Sequence, residues 1–335
     1  MVTKRINDER GVCFYCGQCG RSCSVYADFS AGSCLIFPAM KSGGQVELYV
    51  NSVVREVVTN KQGEAKGVIY INKEDKKEYQ LNAKVVVLAA SACSSARILL
   101  NSKSSVHPNG LGNNSGIVGK YLHDSTGSSR SAFIPELIDR KIYNEDGVSG
   151  MQVYTPWWLD NKKLDFPRGY HIELGGGLGM PSYGFGFGVT ELNKYIGGTI
   201  GGYGNKLRDD VRRFYGSTIG LAGRGECIAV ESNYCEIDPN VVDEFGIPVL
   251  RFNYQWSDHE RNQAKHMHNT FEEIFAEMGG VVLGEKPGKE SDYGLANPGR
   301  IIHEVGTTRM GNDPKSSVVN QFEQLHDAKN VFVVD

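Results

Sequence analysis

The 335-residue sequence contains no apolar run long enough to cross a bilayer. Its most apolar stretch, residues 85–90, is far shorter than the roughly 20 residues that a membrane-spanning helix requires. Residues 1–10 also lack the apolar segment of a signal peptide. We therefore expect a soluble protein without a transmembrane segment. Its compartment, cytoplasmic or periplasmic, stays unknown, because we expect any export signal to be missing from this chain.

The sequence also lacks a surplus of positive charge. Its 36 Lys and Arg residues stand against 39 Asp and Glu residues, which gives a net charge of −3. No Lys/Arg stripe overrides that balance, so the composition argues against a nucleic-acid partner. The contents of 40% hydrophobic and 22% charged residues are ordinary for a globular protein, and the length predicts two domains.

The first half of the chain predicts strands and one strand–turn–helix unit. The valine-rich residues 45–59 predict a strand, and residues 65–72 and 78–81 complete a meander. Residues 84–90 predict a strand that is buried on both faces, as in a parallel sheet. Ser91 then caps a helix over residues 93–101. The small residues Ala89, Ala90 and Ser91 would let a phosphate or a ring approach the backbone at the start of this helix.

Residues 129–255 have a different pattern. Short strand-like runs are separated by glycines and aromatic residues, which predicts an antiparallel sheet and hence a second domain; the runs are residues 150–154, 170–174, 185–190, 217–221 and 226–232. Residues 258–278 predict one long amphipathic helix, because apolar residues recur at helical spacing. The histidines other than His303 mostly lie in contexts typical of surfaces and loops.

A histidine opens a turn rich in glycine and threonine near the end of the chain. His303 is followed by Gly306, Thr307 and Gly311, and glycines let the backbone pack closely against a flat ring. Oxidising an alcohol by hydride transfer needs a base near the hydroxyl group, and histidine is the usual base at neutral pH. An apolar strand then ends in Asp335, a suitable position for holding the polar part of a redox cofactor. The alternative is a core histidine beside a turn.

Several segments, taken in order along the chain, resemble one known family. His-x-x-Gly-Thr-x-Arg-Met-Gly at residues 303–311, followed by a strand ending in Val-Val-Asp, is similar to the carboxy-terminal part of the glucose–methanol–choline (GMC) flavin oxidoreductases. The resemblance is strongest to the branch that holds gluconate and sugar dehydrogenases and pyranose oxidases. The cysteine–glycine stretch 16–23, the strand 46–57, the strand–turn–helix 87–102 and the loop 118–124 also resemble family segments.

The resemblance implies an enzyme that oxidises a CH–OH group of an alcohol, a sugar or a sugar acid, with FAD as hydride acceptor. It implies that His303 is the catalytic base facing the flavin N5 edge and that the backbone at Val54 meets the adenine. It also implies that Asp335 begins the loop that binds the ribityl and phosphate groups. With the turn at residues 89–91, these residues form the expected cofactor site.

The implied fold is α/β plus α+β. We expect an incomplete, Rossmann-like FAD-binding domain, residues 1–126 and 291–335, with an inserted antiparallel-sheet substrate domain, residues 127–290. The domain is incomplete because the family's Gly-x-Gly-x-x-Gly turn, which holds the pyrophosphate, occurs nowhere in the sequence. The family's second catalytic histidine or asparagine, beyond the last strand, has no counterpart either. We therefore expect a fragment that is inactive alone and binds FAD weakly or not at all.

Four cysteines are clustered near the start of the chain. Cys13, Cys16, Cys19 and Cys23 have spacings that suit an iron–sulfur cluster or a tetrahedral zinc, and iron–sulfur is favoured. The alternative is a set of reduced thiols near the flavin. If the run holds iron, electrons leave toward a cytochrome or quinone, which favours a dehydrogenase over an oxidase. Two other interpretations stay open, a metal-binding electron-transfer module and a non-catalytic remnant.

Overall fold

The computed structural model describes residue 4 and residues 9–14, 23–139, 164–176, 203–214, 216–300 and 303–335. The chain divides into two compact units. The first unit contains Met1–Glu47, Thr126–Gly225 and Glu260–Ala296, and the second contains Leu48–Ser125, Glu226–His259 and Asn297–Asp335. Among the described residues, no helix combines the length and the apolar character needed to cross a membrane.

An antiparallel meander opens the second unit and confirms the predicted one. Its strands are β1 (Ser52–Thr59), β2 (Ala65–Asn72) and β3 (Glu78–Asn82), in the spatial order β1-β2-β3. Strand β1 begins later than the predicted start at residue 45. Its pairing with β2 shifts register between Val54 and Glu56, as at a β-bulge, where one extra residue re-aims the strand.

A two-stranded parallel sheet carries the strand–turn–helix unit. Strand β4 (Val86–Leu88) pairs with β11 (Val331–Val333), and helix α2 (Ala92–Asn101) follows β4, as the sequence predicts. Val86 and Leu88 belong to a core formed with α2, whereas Val85 and Val87 are 52% and 56% exposed. The prediction of a strand buried on both faces is therefore wrong, because the described part of the chain covers β4 on one face.

Two more strands complete the second unit. Strands β8 (Tyr234–Val242) and β9 (Pro248–Asn253) form an antiparallel pair, and Cys235 of β8 is buried in the same core as α2. The strand predicted at residues 226–232 is wrong. This segment is irregular and precedes β8.

The first unit contains the predicted antiparallel sheet. Its spatial order is β10-β5-β7-β6, from β5 (Thr126–Phe133), β6 (Tyr170–Gly176), β7 (Thr218–Gly225) and β10 (Val281–Leu283). The predicted strands 150–154 and 185–190 lie outside the described residues. The other α-helices in the described part of the chain are α1 (Phe37–Lys41), α3 (Gly204–Phe214) and α4 (Asp258–Glu277). Helix α4 confirms the predicted amphipathic helix, since Met267, Phe271 and Phe275 are buried against this sheet.

Two of the other histidines are buried. His107 and His268 are each 1% exposed. The Nε2 atom of His107 lies 3.0 Å from the Gly63 carbonyl oxygen, and that of His268 lies 2.7 Å from the Ser128 hydroxyl. A buried polar ring is tolerated where it has such partners, and these partners are remote in sequence.

Candidate functional site

The turn between β4 and α2 presents backbone rather than side chains. Ala89, Ala90 and Ser91 are all exposed. The Ser95 hydroxyl accepts the Ala90 N–H at 3.2 Å, and Ser91 adopts φ 76° and ψ 153°, a region that only glycine enters freely. The chain thus places three small residues before the free N–H groups of a helix, an arrangement that admits an anionic or planar group.

The last residue of the chain contacts this turn. The Ser91 backbone N–H donates to Oδ1 of Asp335 at 2.7 Å. Asp335 follows β11, which lies parallel to β4, so the carboxyl ends of both strands meet at the same edge. Open α/β sheets bind ligands at such edges. Ser91 and Asp335, two of the predicted cofactor-binding residues, are therefore in direct contact.

His303 is held by its backbone. Its N–H donates to Oδ1 of Asp124 at 2.9 Å, and an antiparallel bridge joins His123 to Val305 just beyond it. The His303 residue itself is exposed. The fold therefore fixes the position of its main chain and leaves the imidazole accessible.

Asp124 is the buried group of this arrangement. It is 2% exposed, and its Oδ1 accepts the N–H groups of Ser125, at 2.7 Å, and of His303. Its Oδ2 atom has no hydrogen-bond partner among the described residues. A buried carboxylate oxygen without a donor is costly. This orphaned oxygen therefore suits a donor group of a ligand.

A cavity of about 410 Å³ lies beside these groups. Its wall includes Ser91, Cys93, Asp124, Tyr254 and Glu304. The Asp124 N–H donates to the Tyr254 hydroxyl at 3.1 Å. Burial raises the pKa of Tyr254 well above its ordinary value, so this phenol stays neutral at physiological pH. The residues that line the cavity include Glu304 but not the neighbouring His303, so its polar groups include two carboxyl groups, a neutral phenol and a thiol.

Thr307 ties the histidine motif to the strand–turn–helix unit. It is fully buried, and its hydroxyl donates to the Ala92 carbonyl oxygen at 2.7 Å. Its own carbonyl accepts the Gly119 N–H at 2.7 Å. Gly306, at φ 96°, is required beside it, because a Cβ there would collide with the Tyr121 carbonyl oxygen. The Gly/Thr turn is thereby fixed against two other segments.

The remaining predicted residues are placed as follows. Val54 is partly buried in β1 and packs against the core of the second unit. Cys13 and Cys23 are partly buried, whereas Cys16 and Cys19 lie outside the described residues. No group of three or more metal-ligating side chains lies together in the described part of the chain. The metal site at the four cysteines stays a prediction, because two of them lie outside the described residues.

Comparisons with known proteins identify the family of this chain. The amino-terminal and carboxy-terminal family models of the GMC oxidoreductases match residues 2–126 and 230–335. The chain belongs to the GMC oxidoreductase family, as its motifs predict, and it has the mixed α/β fold of that family. A solved formate oxidase of Aspergillus oryzae shares this fold, with a TM-score of 0.52 at 13% identity over 85% of this chain and 55% of that one.

Two curated relatives show which chemistries the family includes. The chain is 30% identical to a 2-methyl-1,2-propanediol dehydrogenase of Mycolicibacterium austroafricanum, over 84% of this chain and 48% of that protein. It is 27% identical to a gluconate 2-dehydrogenase flavoprotein of Pantoea cypripedii, over 99% of this chain and 52% of that protein. The chain thus spans about half the length of these relatives.

The sequence did not single out Asp124 or Tyr254. Asp124 ends the loop 118–124 that resembles a family segment, so the sequence marked its position. Nothing in the sequence indicated that it would hold the backbone of His303. Tyr254 follows β9 with no motif around it. Their proximity to His303 and Ser91 depends on tertiary contacts.

Proposed function

We propose that this protein oxidises a CH–OH group of an alcohol, a sugar or a sugar acid, with FAD as the hydride acceptor. The observation that carries the proposal is the cavity whose wall combines Ser91 with Asp124, since Asp124 also holds the backbone of His303. Names of the curated relatives point to the same reaction class. They include dehydrogenases acting on a diol and on gluconate.

The residues present fit a flavin nucleotide. The turn 89–91 offers small residues and the N-terminus of α2 to a phosphate or a ring. Asp335 lies against this turn, where a carboxylate can accept ribityl hydroxyl groups. The orphaned Oδ2 of Asp124 offers an acceptor to an N–H or O–H group in the cavity. Val54 is proposed to contribute backbone to the adenine.

The chain's own residues perform the acid–base part of the reaction. Bound FAD would supply the hydride-accepting ring. His303 takes the proton of the substrate hydroxyl on its imidazole, because a neutral imidazole is basic enough at physiological pH. Asp124 acts as a positioning residue by fixing the His303 main chain. The neutral Tyr254 supports Asp124 by accepting its backbone N–H.

We assign the FAD-binding part to residues 1–126 and 291–335 and the substrate-binding part to the inserted residues 127–290. Dehydrogenase activity, with a cytochrome or a quinone as electron acceptor, is proposed over oxidase activity. That choice depends on the cysteine run, because an iron–sulfur cluster would carry single electrons to such a partner.

The cysteine run is a separate part of the proposal. Cys13, Cys16, Cys19 and Cys23 would hold an iron–sulfur cluster, or alternatively zinc. The Ala27 N–H donates to the Cys23 thiol at 3.2 Å, and backbone donors of this kind support thiolate ligands. Anaerobic purification should yield equimolar iron or more. Metal-free protein in which all these thiols titrate would contradict the assignment.

The decisive experiment measures flavin reduction by candidate alcohols and sugars in the protein expressed from its full reading frame. His303→Gln should slow flavin reduction by about 100- to 10,000-fold with unchanged flavin content. His171→Gln is the matched control, because His171 pairs with Glu173 on β6. Reoxidation by a quinone or a cytochrome but not by oxygen would identify a dehydrogenase. A flavin-free protein, or an unchanged rate in His303→Gln, would overturn the proposal.

A further inference from the structure

Two cysteines of the second unit interact with each other, and one of them lines the cavity. Cys93 lies in the first turn of α2, is partly buried and lines the cavity. Cys235 lies on β8 and is 2% exposed. Both pack in the core of the second unit, and both are free thiols. Cys93 is therefore open to a small molecule in the cavity, whereas Cys235 is almost completely buried.

The two thiols share a hydrogen bond and differ in acidity. The Cys235 S–H donates to the Cys93 sulfur, which lowers the pKa of Cys93 although burial, Glu304 and Asp124 oppose ionisation. The same bond, with burial, raises the pKa of Cys235. The position of Cys93 near the N-terminus of a ten-residue helix also favours a thiolate. Cys93 is thus suited to attack, and Cys235 to resolve.

We propose that Cys93 and Cys235 form a dithiol that a hydroperoxide converts into a disulfide. The Cys93 thiolate attacks the peroxide, the O–O bond breaks, and hydroxide leaves, to be protonated to water. The resulting Cys93 sulfenic acid is attacked by the Cys235 sulfur, so that the S–S bond forms and water leaves with the Cys235 proton. Both sulfurs are oxidised, and one hydrogen peroxide is reduced to two waters.

The proposal is independent of the proposed oxidoreductase activity. It requires neither a flavin nor an alcohol, and it can be tested on this chain. The disulfide would join the start of α2 to β8 at the cavity wall, so the redox state of the pair would alter the lining next to Ser91. The other cysteines of the chain serve as internal references.

The test treats the chain with hydrogen peroxide, alkylates the remaining thiols and maps the peptides by mass spectrometry. We expect a crosslinked peptide that contains Cys93 and Cys235, which dithiothreitol separates. Cys34→Ser is the matched control and should leave this crosslink unchanged. If both cysteines stay reduced while the exposed thiols oxidise, or if Cys93 pairs with another cysteine, the proposal is wrong.

Two variants test the order of the steps. Cys235→Ala removes the resolving thiol, so Cys93 should accumulate as a sulfenic acid that dimedone traps. Cys93→Ser should leave Cys235 reduced, because the buried thiol meets no oxidant. Circular dichroism of each variant establishes that it is folded. An unmodified Cys93 in folded Cys235→Ala, or an oxidised Cys235 in folded Cys93→Ser, would overturn the assignment.

Discussion

Oδ1 of Asp124 lies 2.9 Å from the backbone nitrogen of His303, although the two residues are 179 positions apart in sequence. This bond connects the loop after residue 118 with the motif that carries the proposed base. Asp124 is buried and has one carboxylate oxygen without a partner among the described residues. It therefore supports both the stability of the second unit and the geometry of the cavity.

The first prediction concerns this carboxylate. Asp124→Ala should lower the free energy of unfolding by about 1–3 kcal/mol, because the N–H groups of Ser125 and His303 lose their acceptor. Asp124→Asn should recover much of this, since its amide oxygen can accept the same N–H groups. Urea titration of both variants measures the difference. As a control, Asp209→Ala, on the exposed face of α3, should change stability little. Equal losses in the two Asp124 variants would contradict the role of Asp124 as the acceptor of these N–H groups.

The second prediction concerns Thr307. Thr307→Val keeps the shape of the side chain but removes the hydroxyl that donates to the Ala92 carbonyl oxygen. We expect a loss of about 1–3 kcal/mol in the free energy of unfolding, because a buried acceptor is left without its donor. Thr307→Ser retains the hydroxyl and should lose less. Denaturant titration compares the variants, and a valine variant as stable as the parent would show that this bond contributes nothing.

The third prediction concerns pH. Burial lowers the pKa of His268, and the nearby Arg130 and Lys286 act in the same direction, while the Tyr293 carbonyl and Glu272 oppose it. Its Nε2 lies 2.8 Å from that carbonyl oxygen, and its Nδ1 has no partner among the described residues. A second proton on this ring would therefore be unsatisfied.

The sign of the pH effect follows from this lowered pKa. The unfolded chain binds a proton near the ordinary value of 6.5, and the folded chain binds it only at lower pH. The contribution to stability is present above pH 6.5 and is lost as the pH falls through the folded pKa. Unfolding titrations at several pH values should show a smaller acid loss in His268→Gln than in the parent. An unchanged slope in His268→Gln would refute the prediction.

The fourth prediction concerns Asp335. If the turn at Ser91 holds the cofactor, Asp335→Ala should weaken FAD binding about tenfold, the equivalent of roughly 1.4 kcal/mol. Asp335→Asn keeps an acceptor for the Ser91 N–H and should weaken it less. Equilibrium dialysis against FAD measures both variants. Asp75→Ala, in the β2–β3 turn, is the control, and equal affinity in Asp335→Ala and the parent would remove Asp335 from the site.

The local elements were predictable, and the long-range contacts were not. The alternation of residues 52–59 and the helical spacing in residues 258–277 identify β1 and α4, because each pattern repeats over many residues. The exposure of Val87 depends on which segments pack against β4, and the composition of the strand does not reveal those segments. Likewise, His303 was found from its motif, whereas the role of Asp124 required the fold. The pairing of Cys93 with Cys235 has no sequence signal, because the two cysteines lie far apart in the sequence.

The strained backbone of Ser91 has a consequence for engineering. A conformation at φ 76° and ψ 153° costs about 1–3 kcal/mol for a residue with a side chain, so Ser91→Gly is the change that a search for heat resistance would select. Glycine would keep the backbone N–H that donates to Asp335 but would remove the Ser91 side chain from the cavity wall. Selection for thermal stability and selection for catalytic turnover would therefore favour different residues at position 91.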